Sequence, residues 1–141
     1  MTSSRSARRI AIIGAGPRGL WAVEELLERA RVPLDVTVFD PSPAGAGAVY
    51  RPQQPSQWRL NVNCAIVTTA HDSFNAWSTR RGEDTTDAFP PRAQVGQFLA
   101  DTWYAAVRRA PAHVRIRHLP HRVTEVTAEG EGFLVDGAPF D

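Results

Sequence analysis

The stretch Arg9-Ile-Ala-Ile-Ile-Gly-Ala-Gly-Pro-Arg-Gly-Leu20 decides how this chain folds. Its apolar run, Ile10–Ile13, is rich in β-branched residues and predicts a buried parallel strand. The run passes directly into Gly14-x-Gly16-x-x-Gly19. In such a turn the first glycine lets the chain leave the strand sharply, the second leaves the backbone open to a ligand, and the third lets a helix pack against the sheet.

The residues on the far side of the turn complete the pattern. Apolar residues recur at helical spacing, and Arg31-Val-Pro33 ends that helix because proline disfavours a helical residue before it. Leu34–Phe39 predicts a second strand, which leads into Asp40. A strand, a glycine turn, a helix and a strand that ends in an acid predict a site for the ADP half of a dinucleotide. The alternative is a structural βαβ unit in which the glycines serve packing alone.

Asp40 also predicts which nucleotide is favoured. A carboxylate at the end of the second strand accepts hydrogen bonds from the adenosine ribose, and its charge repels a 2′-phosphate. The sequence therefore favours FAD or NAD over NADP. It does not separate FAD from NAD, since both carry an ADP moiety.

Length and composition are those of one soluble, globular domain, and the strand–helix–strand pattern above gives it the α/β class. The 141 residues are 43% hydrophobic and carry a formal net charge of +1, with dispersed charges that favour neither nucleic acid nor a membrane surface as a partner. Residues 1–8 are expected to be a disordered leader, residues 9–141 the domain, and the location cytoplasmic. All 16 basic residues are arginine and Cys64 is the single cysteine, so neither a lysine Schiff base nor a redox-active cysteine pair is available in this chain.

Two central segments have more than one interpretation. Gly45 and Gly47 lie in a proline- and glycine-rich loop that either admits a ligand close to the backbone or is a flexible surface loop. Leu60–Val67 alternates and predicts a short strand with Asn61 and Asn63 on one face. These asparagines either hydrogen-bond a cofactor or cap backbone groups.

The middle of the chain predicts two helices. Asp72-Ser73 is expected to cap a short helix that carries Phe74 and Trp77, and residues 80–87 are expected to form an exposed loop. Pro90-Pro91 opens a long helix that ends at Pro111. Its buried stripe is predicted to be Val95, Phe98, Leu99, Thr102, Trp103, Ala106 and Val107.

The last part of the chain is predicted to be β-rich. Val114–His118 and Arg122–Thr127 alternate, and residues 129–132 supply a turn after which Phe133–Val135 pairs back as a hairpin. Three histidines, His113, His118 and His121, lack the spacing of a metal site and are interpreted as surface or strand-edge residues. No nucleophile–base or paired-carboxylate pattern identifies a catalytic residue, so any chemistry is expected to reside in a bound cofactor.

At this point the chain resembles, from about Arg9 onward, the FAD/NAD(P)-binding domain family of the FAD-dependent urate hydroxylase type, which is related to flavin monooxygenases and N-hydroxylases. The Gly-Pro-Arg-Gly turn and the Phe-Pro-Pro-Arg helix start together carry the resemblance. Further motifs are Val-Thr-Val-Phe-Asp-Pro-Ser-Pro, Gly-Ala-Gly-Ala-Val-Tyr-Arg-Pro, Leu-Asn-Val-Asn and Phe-Asn-Ala-Trp.

The resemblance implies a Rossmann-like fold with a β-hairpin crossover, FAD as cofactor and NAD(P)H as the candidate electron donor. It implies an FAD pyrophosphate site at the glycine turn, with Asp40 at the ribose, Gly47 and Asn61 near the pyrophosphate or flavin, and Val123 at the adenine. The residues implied at the pyrophosphate are Gly14, Gly16, Pro17, Arg18 and Gly19.

Relatives of this type continue beyond the point that matches Asp141, so the domain is expected to be incomplete at the C-terminus, with an apolar sheet edge exposed beside the first strand. One expectation is the FAD-binding part of a flavin-dependent oxidoreductase or monooxygenase, completed by further sequence, a second polypeptide or a second copy of the chain. The alternative is a non-catalytic nucleotide-binding module or a truncated pseudo-enzyme. The small-molecule substrate is not readable.

Overall fold

The computed structural model describes residues 6–83 and 86–141. Residues 1–5 of the expected leader and residues 84–85 of the expected 80–87 loop lie outside the described part. Arg8 already belongs to the first strand. The elements follow in the order β1 (Arg8–Ile13), α1 (Pro17–Arg29), β2 (Leu34–Phe39), a 3₁₀ turn (Cys64–Ile66), α2 (Phe74–Arg80), α3 (Arg92–Arg109), β3 (Val114–Leu119), β4 (Val126–Glu129), β5 (Gly132–Val135) and β6 (Ala138–Phe140).

The first three strands form a parallel sheet in the order β1-β2-β3. Their register places Ile10 beside Val36 and Val36 beside Ile116. Helices form the crossover connections between the parallel strands. Helix α1 connects β1 to β2, and α2 and α3 lie in the connection from β2 to β3. This is the α/β, Rossmann-like architecture that the sequence predicts.

One face of the parallel sheet packs on the helices and forms the core. Side chains alternate between the two faces of a strand, so Val36 and Val38 face this core while Thr37 and Phe39 face the other way. The core members from the helices are Leu20, Val23, Phe74, Trp77, Val95, Phe98, Leu99 and Trp103. The predicted stripe of α3 is confirmed, although Val107 is half-buried.

A second sheet, antiparallel and in the order β4-β5-β6, lies against the opposite face of β2. Phe39 meets Phe140 edge-to-face there, with ring centroids 5.9 Å apart. The hairpin around residues 130–131 is as predicted, with Glu129 paired to Gly132. The two sheets also meet where β6 ends beside β1, since Asp141 N donates to Arg9 O at 2.9 Å.

The predicted strand over Leu60–Val67 is wrong. This segment makes single backbone contacts instead of a ladder, from Leu60 N to Pro90 O (2.8 Å) and from Cys64 N to Ala88 O (2.8 Å), and then forms the 3₁₀ turn. Asn63 caps that turn, since its Oδ1 accepts a hydrogen bond from Ala65 N at 2.9 Å. For Asn63 the capping interpretation is therefore the correct one.

The predicted strand over Arg122–Thr127 is wrong over residues 122–125. Strand β4 starts at Val126, and residues 120–125 carry no strand pairing. The reason is a contact from the following hairpin: the Asp136 carboxylate accepts hydrogen bonds from the backbone N–H groups of Thr124 and Glu125. A side chain thus takes the donors that a β-ladder would use.

The helix starts and ends agree with the sequence. Ser73 caps α2 by accepting a hydrogen bond from Ala76 N, and Pro91 is the residue before the first turn of α3. Helix α1 ends at Arg29, ahead of Pro33. Among the described residues, no helix is long and apolar enough to cross a membrane.

Candidate functional site

The glycine turn joins β1 to α1 through three distinct backbone requirements. Gly14 has φ +107°, a conformation that side chains rarely adopt, and its N–H donates to Phe39 O at 2.8 Å. A Cβ on Gly19 would lie 2.0 Å from Gly14 O, so the helix can approach the strand only without a side chain there. A Cβ on Gly16 would meet only Gly47 Cα at 3.9 Å, which leaves that position open.

The start of α1 offers unsatisfied N–H groups beside this open position. Gly16 is the residue before the helix, Pro17 occupies its first turn, and no side chain within the described residues caps the helix. The first N–H groups of a helix point outward and carry partial positive charge. Since Pro17 lacks an N–H, the backbone N–H groups of Arg18 and Gly19 are the donors available to an anion here.

The loop after β2 packs tightly on the glycine turn and is not a loose surface loop. Gly45 N donates to Ala15 O at 2.7 Å, and a Cβ on Gly45 would lie 2.2 Å from Leu99 O. Gly47 (φ +62°) is buried against Gly16, where a Cβ would come within 2.7 Å of Gly16 Cα. The structure thus brings Gly47 to the turn, as the resemblance implies.

Asp40 is tied into the turn by both of its carboxylate oxygens. Oδ2 accepts a hydrogen bond from Ala15 N at 2.8 Å, and Oδ1 accepts one from Ser42 N at 2.7 Å. A carboxylate has about four lone-pair sites, so capacity remains for hydroxyl donors. The backbone of Asp40 is held as well, because its N–H donates to Leu119 O (3.1 Å) and its carbonyl bonds His118 Nε2 (2.8 Å).

A groove of about 300 Å³ opens beside Asp40, where the ends of β1 and β2 meet the segment after β3. We call it the β3 groove. It is lined by Gly14, Asp40, Ser42 and the segment 121–123, which contributes Val123. The structure therefore brings together the three predicted residues Gly14, Asp40 and Val123, although they lie far apart in the sequence.

A second groove, of about 640 Å³, lies on the other side of the turn, between β1 and α1. We call it the β1 groove. The predicted residues Gly14, Gly16, Pro17, Arg18 and Gly19 all line it, together with apolar side chains from both elements. Two of these are unusually open for their size: Ile13 is 56% exposed and Trp21 45% exposed. The two grooves meet at Ile13 and Gly14.

Asn61 is the predicted residue that the structure does not bring to the turn. It is exposed and lines neither the β1 groove nor the β3 groove. The histidines have individual structural contacts: His118 with the Asp40 carbonyl, His121 with Asp136 at 2.7 Å, and His113 with Ala30 O at 3.4 Å. Within residues 6–83 and 86–141, no group of His, Cys, Asp and Glu is arranged to hold a metal ion.

Several residues that shape the site are not predicted by the sequence pattern. Ala15 and Ser42 act through backbone N–H groups, which carry no residue-type signal. Asp136 holds the wall of the β3 groove through its carboxylate. The Asp136-Gly137 dipeptide is a strong hairpin signal and could have located the β5–β6 turn, but not this long-range role.

These features define a class of protein. A parallel sheet, a Gly-x-Gly-x-x-Gly turn at an uncapped helix start and an acid at the end of the next strand make a dinucleotide-binding α/β domain. The chain belongs to the FAD-NAD(P)-binding family, whose pattern matches residues 11–139. The family resemblance read from the sequence is thereby confirmed, and this family implies FAD and NAD(P) as its ligands.

The chain is also similar to enzymes of known activity. It is 37% identical over 134 residues to nitrosuccinic acid synthase npaA of Aspergillus oryzae, and 30% identical over 167 residues to an L-aspartate N-monooxygenase (nitrosuccinate-forming) of Streptomyces cremeus. These matches cover 81% and 89% of this chain. The chain spans only 21% and 25% of the length of those two relatives.

Solved structures agree on the fold. An ornithine N-hydroxylase of Kutzneria sp. 744, in a complex with reduced FAD, NADP⁺ and L-ornithine, superimposes with a TM-score of 0.55 at 19% identity. The alignment covers 92% of this chain and 32% of that one. The Diels-Alderase PyrE3 superimposes with a TM-score of 0.50 at 21% identity, over 94% of this chain and 30% of that one.

Proposed function

We propose that this chain binds the ADP half of FAD at the glycine turn, as the cofactor-binding part of a flavin-dependent N-monooxygenase. One observation carries the proposal: the uncapped start of α1 and the Asp40 carboxylate lie side by side, joined by the hydrogen bond from Ala15 N to Asp40. Phosphate and ribose are adjacent groups of ADP and need these two kinds of partner.

Different residues of the chain would bind the pyrophosphate, the ribose and the adenine of the ligand. The backbone at Gly16, Arg18 and Gly19 would hold the pyrophosphate, because a phosphate can approach where Gly16 has no side chain. The exposed Arg18 guanidinium adds a positive charge at the same groove. Asp40 would accept hydrogen bonds from the ribose hydroxyl groups, and Val123 would pack on the adenine in the β3 groove.

The flavin that the glycine turn and Asp40 would hold would supply the redox and oxygen chemistry of an N-hydroxylation, with NAD(P)H as the reductant and molecular oxygen as the oxidant. An amino-acid amine is the substrate class, because the two curated relatives are named for nitrosuccinate formation and one of them for L-aspartate. The role of this chain in that reaction is to bind and orient the cofactor. We extend the proposal to a cytoplasmic location, in line with the expectation from the sequence.

We also propose that a further β-strand completes the sheet beside β1. The N–H groups of Arg8 and Gly14 donate toward the β2 side, to Pro33 O and Phe39 O. Backbone groups alternate in direction along a strand, so those of Arg9, Ala11 and Ile13 face the outer edge. Asp141 N already donates to Arg9 O at 2.9 Å on that edge, which is how a neighbouring strand would begin.

Calorimetric titration with ADP, FAD and NADPH tests the proposal. We expect saturable binding of ADP and FAD, competition between them, and weaker binding of NADPH because its 2′-phosphate would meet Asp40. The matched control is Gly16→Val, which should bind none of the three at comparable concentrations. A folded wild-type chain that binds neither ADP nor FAD would contradict the proposal.

Reaction of the complete protein is a separate arm of the test. FAD binding together with NAD(P)H-dependent oxygen consumption, in the presence of an amino-acid substrate and the completing polypeptide, would support the monooxygenase. Binding of FAD without any turnover in that complete system would favour the non-catalytic nucleotide-binding module.

A further inference from the structure

Asp136 has an unusual position and an unusual number of partners. It lies in the turn between β5 and β6 and is, among the described residues, the non-glycine residue with positive φ (+46°). Its carboxylate accepts hydrogen bonds from His121 Nε2 (2.7 Å), Glu125 N (2.8 Å) and both the Oγ1 (2.9 Å) and N (3.0 Å) of Thr124. Its own N–H donates to Glu125 O at 3.0 Å.

These bonds favour the ionised carboxylate. The hydrogen bond from His121, followed by those from Thr124 and the backbone, holds the pKa of Asp136 well below its ordinary value. Asp136 therefore carries its negative charge throughout the neutral pH range, and the four donors converge on a charged acceptor.

The partners of Asp136 belong to the segment that closes the β3 groove. His121 and Val123 line this groove opposite Asp40, whereas Asp136 lies outside it. Strand pairing starts only at Val126, opposite Val135, so no ladder fixes the preceding residues. His121 is also held by the hydrogen bond from its N–H to Leu119 O (2.8 Å) and by the edge contact of its ring with Phe39, at 6.2 Å between centroids. Within the described residues, the hydrogen bonds of Thr124 and Glu125 all go to Asp136.

We propose that Asp136 is a positioning residue for nucleotide binding: it fixes the segment 121–125 so that His121–Val123 close the β3 groove over the adenosine part of the ligand. This inference rests on the proposed function, since it concerns the same site. Asp136, in the β5–β6 turn and far from the glycine turn in the sequence, would thus set the position of the segment that contacts adenosine.

A comparison of two ligands tests this role. ADP would touch both the glycine turn and the segment 121–123, whereas inorganic pyrophosphate would touch the glycine turn alone. Asp136→Gly removes every carboxylate bond and suits the positive φ, so the turn itself is kept. We expect the Kd for ADP to rise about fivefold, as the loss of one hydrogen bond would cause, with the Kd for pyrophosphate within about twofold of wild type.

Two further variants separate positioning from general loss of structure. Asp136→Asn keeps one acceptor oxygen and tolerates the left-handed conformation, so it should restore part of the ADP affinity. Glu131→Gln removes one negative charge from the same antiparallel sheet at an exposed position and should bind both ligands as wild type does. Hydrogen exchange of the Thr124 and Glu125 amides should accelerate in Asp136→Gly while amides of β2 stay protected.

The outcomes are distinct. Wild type that binds ADP, with an Asp136→Gly Kd within twofold of it, would overturn the positioning role and leave the proposed function intact. Equal losses for ADP and pyrophosphate would indicate a general structural effect and also overturn it. Wild type that binds neither ligand would contradict the proposed function and, with it, this inference.

Discussion

The two sides of the glycine turn are built in opposite ways. On the β3 side, polar groups are paired: Asp40 bonds Ala15 and Ser42, and Asp136 bonds the segment 121–125. On the β1 side, the outer edge of β1 has a single backbone partner among the described residues, Asp141, and Ile13 and Trp21 remain exposed. The polar groups proposed to bind adenosine and pyrophosphate are therefore held in place by partners within the described residues, whereas the outer edge of the parallel sheet is open beside them.

Gly19→Ala should have the largest effect on stability, because it disrupts the close contact of Gly19 with Gly14 on which both sides of the turn depend. The new Cβ would lie 2.0 Å from Gly14 O, a backbone atom that cannot rotate away. Overpacking costs about 1–3 kcal/mol, and a contact this short belongs in the upper part of that range, above the roughly 1 kcal/mol that alanine gains over glycine in a helix. Urea denaturation should show a clearly reduced free energy of unfolding. Gly16→Ala is the matched control, and an equal loss there would contradict this account of the turn.

Gly16→Val should separate binding from folding. The valine side chain would project into open space next to Gly47, so the protein should fold. The same space is where a pyrophosphate would approach, and the Kd for ADP should rise at least about tenfold, equivalent to 1.4 kcal/mol. Titration of the wild type, Gly16→Ala and Gly16→Val should give a graded series. Unchanged affinity in Gly16→Val would place the ligand elsewhere.

Asp40→Asn tests the β3 side of the glycine turn, where the polar groups are paired. An amide offers one acceptor oxygen where the carboxylate bonds two backbone N–H groups, so one of Ala15 N and Ser42 N would lose its partner. Hydrogen bonds to charged groups contribute about 1.5–3 kcal/mol, and we expect a loss of stability in the lower part of that range. The Kd for ADP should rise as well, measured by the same titration. Asp35→Asn removes an acid within β2 itself; it is the control for charge and should leave ADP binding unchanged.

Acidification should weaken the fold through carboxylates whose pKa the structure lowers. Hydrogen bonds from Arg81 and Gln94 lower the pKa of Glu83, and His121 with Thr124 lowers that of Asp136. At acid pH the unfolded chain binds protons more tightly than the folded chain, so stability rises with pH. The contribution is fully present above the ordinary pKa values of 3.8 and 4.5 and is lost as the pH falls below them.

Urea midpoints between pH 6 and pH 3 measure this effect. The fall in the midpoint should be smaller in Asp136→Asn than in the wild type, because the variant has lost one of the groups that titrate. A variant that loses as much stability as the wild type over this range would show that Asp136 contributes nothing to the acid response.

Trp21→Ser should have the smallest effect on stability, since it changes the open side. Trp21 is 45% exposed in the β1 groove, and surface substitutions usually change stability by less than about 0.5 kcal/mol. Exposed apolar grooves promote association, so sedimentation should show less self-association in the variant. Tyr104→Ser, on the exposed face of α3, is the matched control. Equal changes in self-association in both variants would show that the β1 groove promotes association no more than another exposed surface.

The sequence predicts the β3 side of the glycine turn less well than it predicts the β1-α1-β2 unit on which that side is built. The β1-α1-β2 unit follows from local signals: an apolar run, glycines at fixed spacing and a proline after the helix. The wall formed by residues 121–125 does not, because its alternating residues are typical of a strand and the Asp136 side chain overrides that local preference from eleven residues away. Asn61 lies away from the turn for a related reason, since the predicted strand that would have carried it is replaced by isolated contacts and a 3₁₀ turn.

Nucleotide binding at the glycine turn is tested most directly by a map of the amide NMR shifts that ADP causes in the folded chain. We expect the affected amides to belong to Gly16, Arg18, Gly19, Ser42 and Val123, whereas the indole N–H of Trp21 should stay unchanged. Such a map would place the nucleotide on the paired side and across the start of α1. Shifts that concentrate on Trp21 and the outer edge of β1, or an absence of shifts at saturating ADP, would contradict it.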